Sequence, residues 1–306
     1  MVGKQITVQK SLEVARDRLI EIPRSLEQLS ESEIQRKQYI SRVMTYALKY
    51  LTLEFVNKGF EWLLPVIFSK STDPLWPDPG ASIEKRIEVE IYGKTVRTTL
   101  SMIVHKMVAC SLAHPRLFIL SPNIRLEKKD RANSRIHAYE FTQLDFEVRN
   151  ATSKTIRNFV EGIICRLIGN VKRHMSEELV YLGRYDTLRI PEPPFRVFDR
   201  ENLEKSFGKD WETKIMFEIS HPVWITNIPR EFYDFEDFER DKWDNYDLML
   251  PSYGEVLSGA RREWEYDKIV RKMVRDGVRK DNYEVLLKLA RDGKLEPSAG
   301  AGIGIE

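Results

Sequence analysis

Residues 121–148 read SPNIRLEKKDRANSRIHAYEFTQLDFEV, and the reading of this stretch decides the fold. Two arms with alternating apolar residues, Leu117 to Glu127 and Ala138 to Val148, flank the loop KKDRANSRI, rich in the Asp, Asn and Ser that antiparallel connections favour. The pattern predicts strand, loop, strand. Side chains alternate faces along a strand, so Ala138, Glu140, Thr142, Leu144, Phe146 and Val148 share one mostly apolar side that should meet core helices. The opposite side carries His137, Tyr139, Phe141, Gln143, Asp145 and Glu147, with Arg125 and Glu127 joining it from the facing arm. A face that mixes aromatic and ionisable groups suits a ligand. The competing reading is a solvated sheet face laced with ion pairs.

Upstream, Ser30 and Glu33 form a capping box ahead of Ile40, Met44, Ala47, Leu48, Leu51 and Phe55, which recur at helical spacing until Asn57-Lys58-Gly59. FEWLLP at 60–65 then predicts a strand whose proline suits a sheet edge. Residues 1–32 predict a helical extension, too short for an independent domain, since folds below about 40 residues usually need staples. STDPLWPDPG at 71–80 reads as a loop, 87–99 as a hairpin turning at Gly93, and LSMIVHKMVACSLA at 100–113 as a helix with Ser101, His105 and Lys106 near its entrance. Downstream, apolar positions from Ile156 to Val171 mark another helix. Residues 180–222, broken by Pro191, Pro193 and Pro194, read as an insertion with short helices. VWITNIP is a buried strand, 234–242 an acidic and aromatic excursion, and 245–250 with 254–258 a strand pair. Two helices, 267–275 and 282–292, precede the glycine-alternating end PSAGAGIGIE.

The 306 residues predict one main α+β domain, 33–306, behind the extension. Lys plus Arg total 49 against 47 for Asp plus Glu, so the +2 balance supplies no field to gather nucleic acid or membrane. Cys110 and Cys165 sit in apolar helical patterns without partner spacing, as buried thiols of a reducing compartment do. No apolar run approaches a membrane span, and the start lacks a signal region, which predicts a cytoplasmic protein.

Arg-x-Glu, a loop, then His-x-x-Glu-Phe-Thr-x-Leu-Asp-x-Glu resembles motif 2 of the class II aminoacyl-tRNA synthetases, in the aspartyl and asparaginyl branch. More closely, the chain resembles the archaeal asparagine synthetases related to asparaginyl-tRNA synthetase, which lack an anticodon-binding domain. The resemblance runs from about Glu33 to the last residue. It implies a mostly antiparallel sheet flanked by helices, and a homodimer through the helix, strand and proline of motif 1. It also implies a motif 3 at the terminal glycines, cut before its arginine. By residue, the resemblance gives Arg125 to the α-phosphate of ATP and the incoming carboxylate, as the catalytic group. Glu127 and His137 meet the adenine edge and the phosphate tail, and Phe141 stacks under the ring. Asp247 and Glu255 hold Mg2+, Glu255 also meeting the nucleotide. The substrate is met by Ser101, Lys106, Asp145, Ser258 and Arg262, with Lys106 and Arg262 gripping a carboxylate. Met102 and Ile103 depart from the family's Pro-Gln, and Arg261 replaces a glutamine.

The reaction so implied is attack of a carboxylate on the α-phosphorus of ATP, with positioning and charge stabilisation dominating. The leading expectation is an ammonia-dependent, AMP-forming asparagine synthetase, with aspartate, ammonia and ATP as substrates; the missing reading domain and the near-neutral charge argue against tRNA. Two alternatives stay open: an adenylate passed to tRNA or another amine, and a noncatalytic dimeric paralogue.

Overall fold

The computed structural model describes residues 30–69, 83–85, 87–128 and 139–305, and it pairs the two alternating arms as the sequence predicts. They are the second and third strands of a sheet built from β1 (Glu61–Leu63), β2 (Arg116–Ile124), β3 (Glu140–Arg149), β4 (Arg196–Asp199), β5 (Val223–Thr226), β6 (Asn245–Leu250), β7 (Gly254–Arg261) and β8 (Ser298–Gly304). The order across it is β1-β2-β3-β8-β7-β6-β5-β4. Only the outer pairs, β1 with β2 and β4 with β5, are parallel; the others run antiparallel. This is the α+β, mostly antiparallel class expected. Phe141 faces Asn123 across β2 and β3, and the ladder continues past the strand end where the Arg125 amide donates to the Tyr139 carbonyl at 2.8 Å.

Contacts divide the described chain into two units. One comprises the described residues up to Gly59 with Arg157–Phe195. Its first helix, α1 (Glu31–Asn57), carries the expected capping box: Ser30 accepts from the Glu33 amide, and the Glu33 carboxylate accepts from the Ser30 amide at 2.8 Å. Phe55 of α1 meets Phe159 edge-on at 5.4 Å, and Arg166 donates to Glu54 at 2.7 Å. The other unit comprises Phe60–Ile156 with Arg196 onward, and it contains the whole sheet. Here α2 (Ile103–Leu112) packs with α7 (Tyr266–Arg275) and α8 (Glu284–Arg291) through Val104, Met107, Ile269, Met273, Leu286 and Leu287. The remaining α-helices among the described residues are α3 (Ser153–His174), α4 (Ser176–Tyr181), α5 (Arg200–Phe207) and α6 (Trp211–Glu218).

The segment read as an insertion differs in one respect: residues 196–199 extend the main sheet as β4, parallel to β5. Four residues behind three prolines are too short a run for alternation to declare itself. The hairpin at 87–99 forms as expected, with Tyr92 and Gly93 both at positive φ in its turn. Both cysteines are free, and burial followed by the Glu147 charge pushes the Cys110 thiol up to about 12, which makes it inert at neutral pH. Among the described residues no helix is long and apolar enough to cross a membrane. Most of the N-terminal extension, the 71–80 loop, His137 and Glu306 lie outside the described residues.

Candidate active site

A cavity of about 240 Å³ opens over the middle of the sheet, within the second unit. Of the residues picked from sequence, it brings together Ser101, Lys106, Arg125, Asp145, Glu255, Ser258 and Arg262. Its lining also includes Gln143 from β3 and Gly302 from β8. Phe141 reaches it through a neighbour, for the Arg125 guanidinium lies over the Phe141 ring at 4.9 Å while its Nε donates to the Leu100 carbonyl at 3.0 Å. One face of the hairpin thus presents a cation stacked on an aromatic plate, as the alternation predicts. Glu127 pairs with Ile83 in a short second ladder; its side chain lies outside the described residues, as does His137.

Deeper along the same face the structure departs from the sequence reading. Asp145 and Glu147 are buried, and so are the two cations expected to hold substrate. Lys106 donates to Asp145 Oδ1 at 2.9 Å and to the Ala301 carbonyl at 3.3 Å, with Glu147 at 3.7 Å. Arg262 donates to Glu147 at 3.3 Å, to Asp234 at 2.7 Å and to the Gly300 carbonyl at 3.4 Å. Both cations line the cavity, yet each is already matched by carboxylates. Neither is therefore an unpaired charge awaiting the substrate carboxylate that the resemblance assigns to them. Arg262 has Nη hydrogens beyond these bonds for an amide or carboxylate oxygen, and the Asp145 Oδ2 atom is buried without a partner among the described residues, an acceptor for an ammonium or amide N–H.

The terminal glycines make this packing possible. Gly300 stands opposite Glu147 and Gly302 opposite Asp145. A Cβ at Gly300 would come 2.1 Å from the Phe146 carbonyl oxygen and 2.3 Å from Glu147 Oε2; one at Gly302 would come 2.9 Å from Asp145 Oδ1. The alternation Gly-x-Gly clears the floor for the acids of β3.

The acids assigned to a metal lie on β6 and β7. Asp247 pairs in register with Ser258, and a bulge between Leu248 and Met249 precedes the strand end that carries Glu255. Crowding by protein, then the Asp247 charge, pushes the Glu255 carboxyl up to about 8; its side chain reaches solvent, and screening works against that rise. Burial also raises Asp247, opposed by Arg230. Magnesium takes one or two carboxylates and fills its remaining positions with water and phosphate oxygens, so this donor pair fits it. Among the described residues no group of three or more His, Cys, Asp or Glu could hold a metal alone.

Three lining residues escaped the sequence reading: Arg230, Glu231 and Tyr233. Arg230 Nη2 donates to Asp247 Oδ1 at 2.5 Å and Oδ2 at 2.6 Å, and its Nη1 donates to Ser258 Oγ. Tyr233 donates to Glu231 at 2.8 Å. The one available signal was their place, a loop directly following a buried strand, where functional side chains concentrate.

The family model for class II tRNA synthetases (D, K and N) matches residues 84–306. Among curated relatives, the asparagine–tRNA ligase of Thermoplasma acidophilum is 25% identical over 62% of this chain and 48% of its own length. The aspartate–tRNA(Asp/Asn) ligase of Methanothermobacter thermautotrophicus is 28% identical over 66% and 49%. That of Streptococcus suis, an asparagine–tRNA ligase, is 29% identical over 89% and 64%. The chain spans about half to two thirds of the length of these relatives. Asparaginyl-tRNA synthetase from Pyrococcus horikoshii, solved with asparaginyl-adenylate, superposes with a TM-score of 0.76 at 22% identity, covering 94% of this chain and 70% of its own. The fold is therefore shared, and by its matched sequence the chain belongs to the class II tRNA synthetases of the D, K and N type.

Proposed function

We propose that residues 33–306 form a catalytic domain that activates aspartate or asparagine with ATP, giving an aminoacyl-adenylate and pyrophosphate. The observation that carries this is the Arg125 guanidinium on the Phe141 ring, lining one cavity with Glu255, next to Asp247, and with the Lys106–Asp145 pair. Adenine stacks on Phe141, and Arg125 turns to the α-phosphate as the carboxylate oxygen attacks phosphorus and the bond to the pyrophosphate oxygen breaks. Asp247 and Glu255 would hold magnesium, which would supply positive charge against the pyrophosphate. Arg262 donates to the substrate's side-chain oxygen, and Asp145 Oδ2 accepts from an N–H of the same ligand. Ser101 and Ser258 border that pocket. The site thereby orients reactants and stabilises charge, with little demand for acid or base help.

The acceptor that displaces AMP is a tRNA hydroxyl in this reading, because the matched relatives are named as tRNA ligases. A second reading, ammonia attacking aspartyl-adenylate to give asparagine, is favoured by the balance of 49 basic against 47 acidic residues, which offers nucleic acid no general attraction. ATP–pyrophosphate exchange with aspartate and with asparagine tests activation; no exchange with either sinks the proposal. AMP release prompted by ammonium but not by tRNA selects the second acceptor, and the converse the first.

A further inference from the structure

Resting on the reading of Asp247 and Glu255 as magnesium ligands, we propose that Arg230 is the resident counter-ion of that position: it holds Asp247 while nucleotide is absent and gives the carboxylate up when metal and nucleotide enter. The geometry is specific. Arg230 follows β5, whose Ile225 pairs with Asp247 of β6, which in turn pairs with Ser258 of β7. From its loop the guanidinium therefore reaches across two strands, engaging both oxygens of Asp247 and the hydroxyl of Ser258. With both carboxylate oxygens engaged by a cation, a divalent ion meets an occupied ligand and a like charge beside it. The guanidinium takes a lone pair on each Asp247 oxygen and sets a positive charge beside the position a metal would take, so it competes with a divalent ion for that carboxylate.

Two further observations distinguish a displaceable counter-ion from a fixed structural pair. Unlike Lys272 and Glu263, both fully buried, the Arg230 side chain keeps 20% of its surface and lines the cavity, with open space on one side. Its charge-bearing neighbours there are Asp247, Glu255, Glu231 and Asp234, so a guanidinium leaving Asp247 still stands among acids, and an incoming phosphate supplies the anion it turns to. The exchange leaves no group without a counter-ion: the acids pass from a monovalent to a divalent cation, and the arginine passes from carboxylate to phosphate. Metal bound without nucleotide leaves Arg230 beside a divalent ion with no phosphate to turn to, so metal and ATP are expected to bind together.

Mn2+ titration of the full chain, read as ion retained with the protein after gel filtration, tests this with and without ATP. Wild type is expected to retain Mn2+ only when ATP is present. Arg230→Met is expected to bind Mn2+ at least about tenfold more tightly without nucleotide, since a neighbouring positive charge has been removed. Adding Asp247→Asn should abolish the gain, and ATP should bind the Arg230→Met protein more weakly. A merely structural arginine predicts the opposite, a damaged site and no gain in metal affinity. Unchanged nucleotide-free affinity in Arg230→Met, alongside ATP-dependent retention in wild type that Asp247→Asn removes, overturns the counter-ion role and leaves the metal acids standing. Retention that is indifferent to Asp247→Asn overturns both. If Arg230→Met fails to melt cooperatively, Arg230→Lys supplies the reading: a smaller gain supports the exchange and no gain overturns it.

Discussion

Arg125 makes two contacts that fix its guanidinium: the Leu100 carbonyl anchors Nε, and the Phe141 ring lies beneath the guanidinium plane. A lysine keeps the charge but has neither the plane nor the forked donors, so Arg125→Lys should rescue little. Removing one preorganised oxyanion-hole donor from an enzyme site costs about 2.7–4 kcal/mol, and the same scale is taken for Arg125. Arg125→Ala is accordingly expected to slow ATP–pyrophosphate exchange by about a hundredfold to a thousandfold while its melting temperature stays near wild type. His105, one position before Lys106, governs stability instead. Its Nε2 is hydrogen-bonded to Ser69 Oγ at 3.1 Å, its Nδ1 is buried without a partner among the described residues, and burial holds its pKa below 6.5. Between the depressed folded value and the ordinary unfolded one, the unfolded chain binds more protons. The neutral ring thus contributes stability above about pH 6.5 that is lost as pH falls toward the folded value. Thermal melts at pH 7.5 and 5.5 check this: His105→Gln should flatten the acid-side drop, and an unchanged drop would assign it to other groups.

At the scale of elements, α7 supports the site from behind. Its Lys272 donates to the Asp234 backbone carbonyl at 2.5 Å and to Glu263 at 3.1 Å, while the Asp234 side chain holds Arg262. Lys272 and Glu263 are both fully buried, so deleting one partner strands a charge. Lys272→Met should destabilise the protein by about 3–5 kcal/mol in urea melts. The Lys272→Met, Glu263→Gln double variant should recover part of it, with a coupling of about 0.5–3 kcal/mol; strictly additive losses would rule the pair out as a unit. Such long-range pairs also mark where sequence reading stops. The β2 and β3 hairpin was legible because strand alternation is local, and that alternation alone puts Arg125 and Phe141 on one face. The capping box of α1 was legible for the same reason. Lys106, Arg262 and their acids were recognisable as residues, but their mutual pairing joins β3 to positions 39 and 115 residues away, which no periodicity encodes. Arg230 was invisible: its partner lies 17 residues on, across a strand boundary, and the stretch NIPREF carries no repeat.

For the whole molecule, the decisive surface is the edge of the sheet at β1. Among the described residues this strand pairs only with β2, so its other side presents unpaired backbone, the feature that invites a further strand or a partner chain. Around it Trp62 is 51% exposed, Leu64 86%, Ile67 48% and Phe68 44%, a run of large apolar groups within seven positions. Trp62 is held in place by stacking on Phe118 at 5.4 Å, so the patch has a fixed shape. Monomers seldom leave contiguous apolar surface of this kind uncovered. The proposal made from motif 1, a homodimer, gives the patch an occupant: the same edge of a second copy, which a two-fold axis would make self-complementary. Light scattering should then give twice the chain mass for wild type. Leu64→Glu with Trp62→Glu should give the single-chain mass, because charges on both sides of a two-fold contact repel and lose their hydration. The cavity-lining residues of the second unit are untouched by these changes. Adenylate formation that persists in the monomeric variant would show that the dimer serves the acceptor step rather than activation. A wild type that is already monomeric at micromolar concentration would leave the apolar edge to a different partner and remove the dimer from the account.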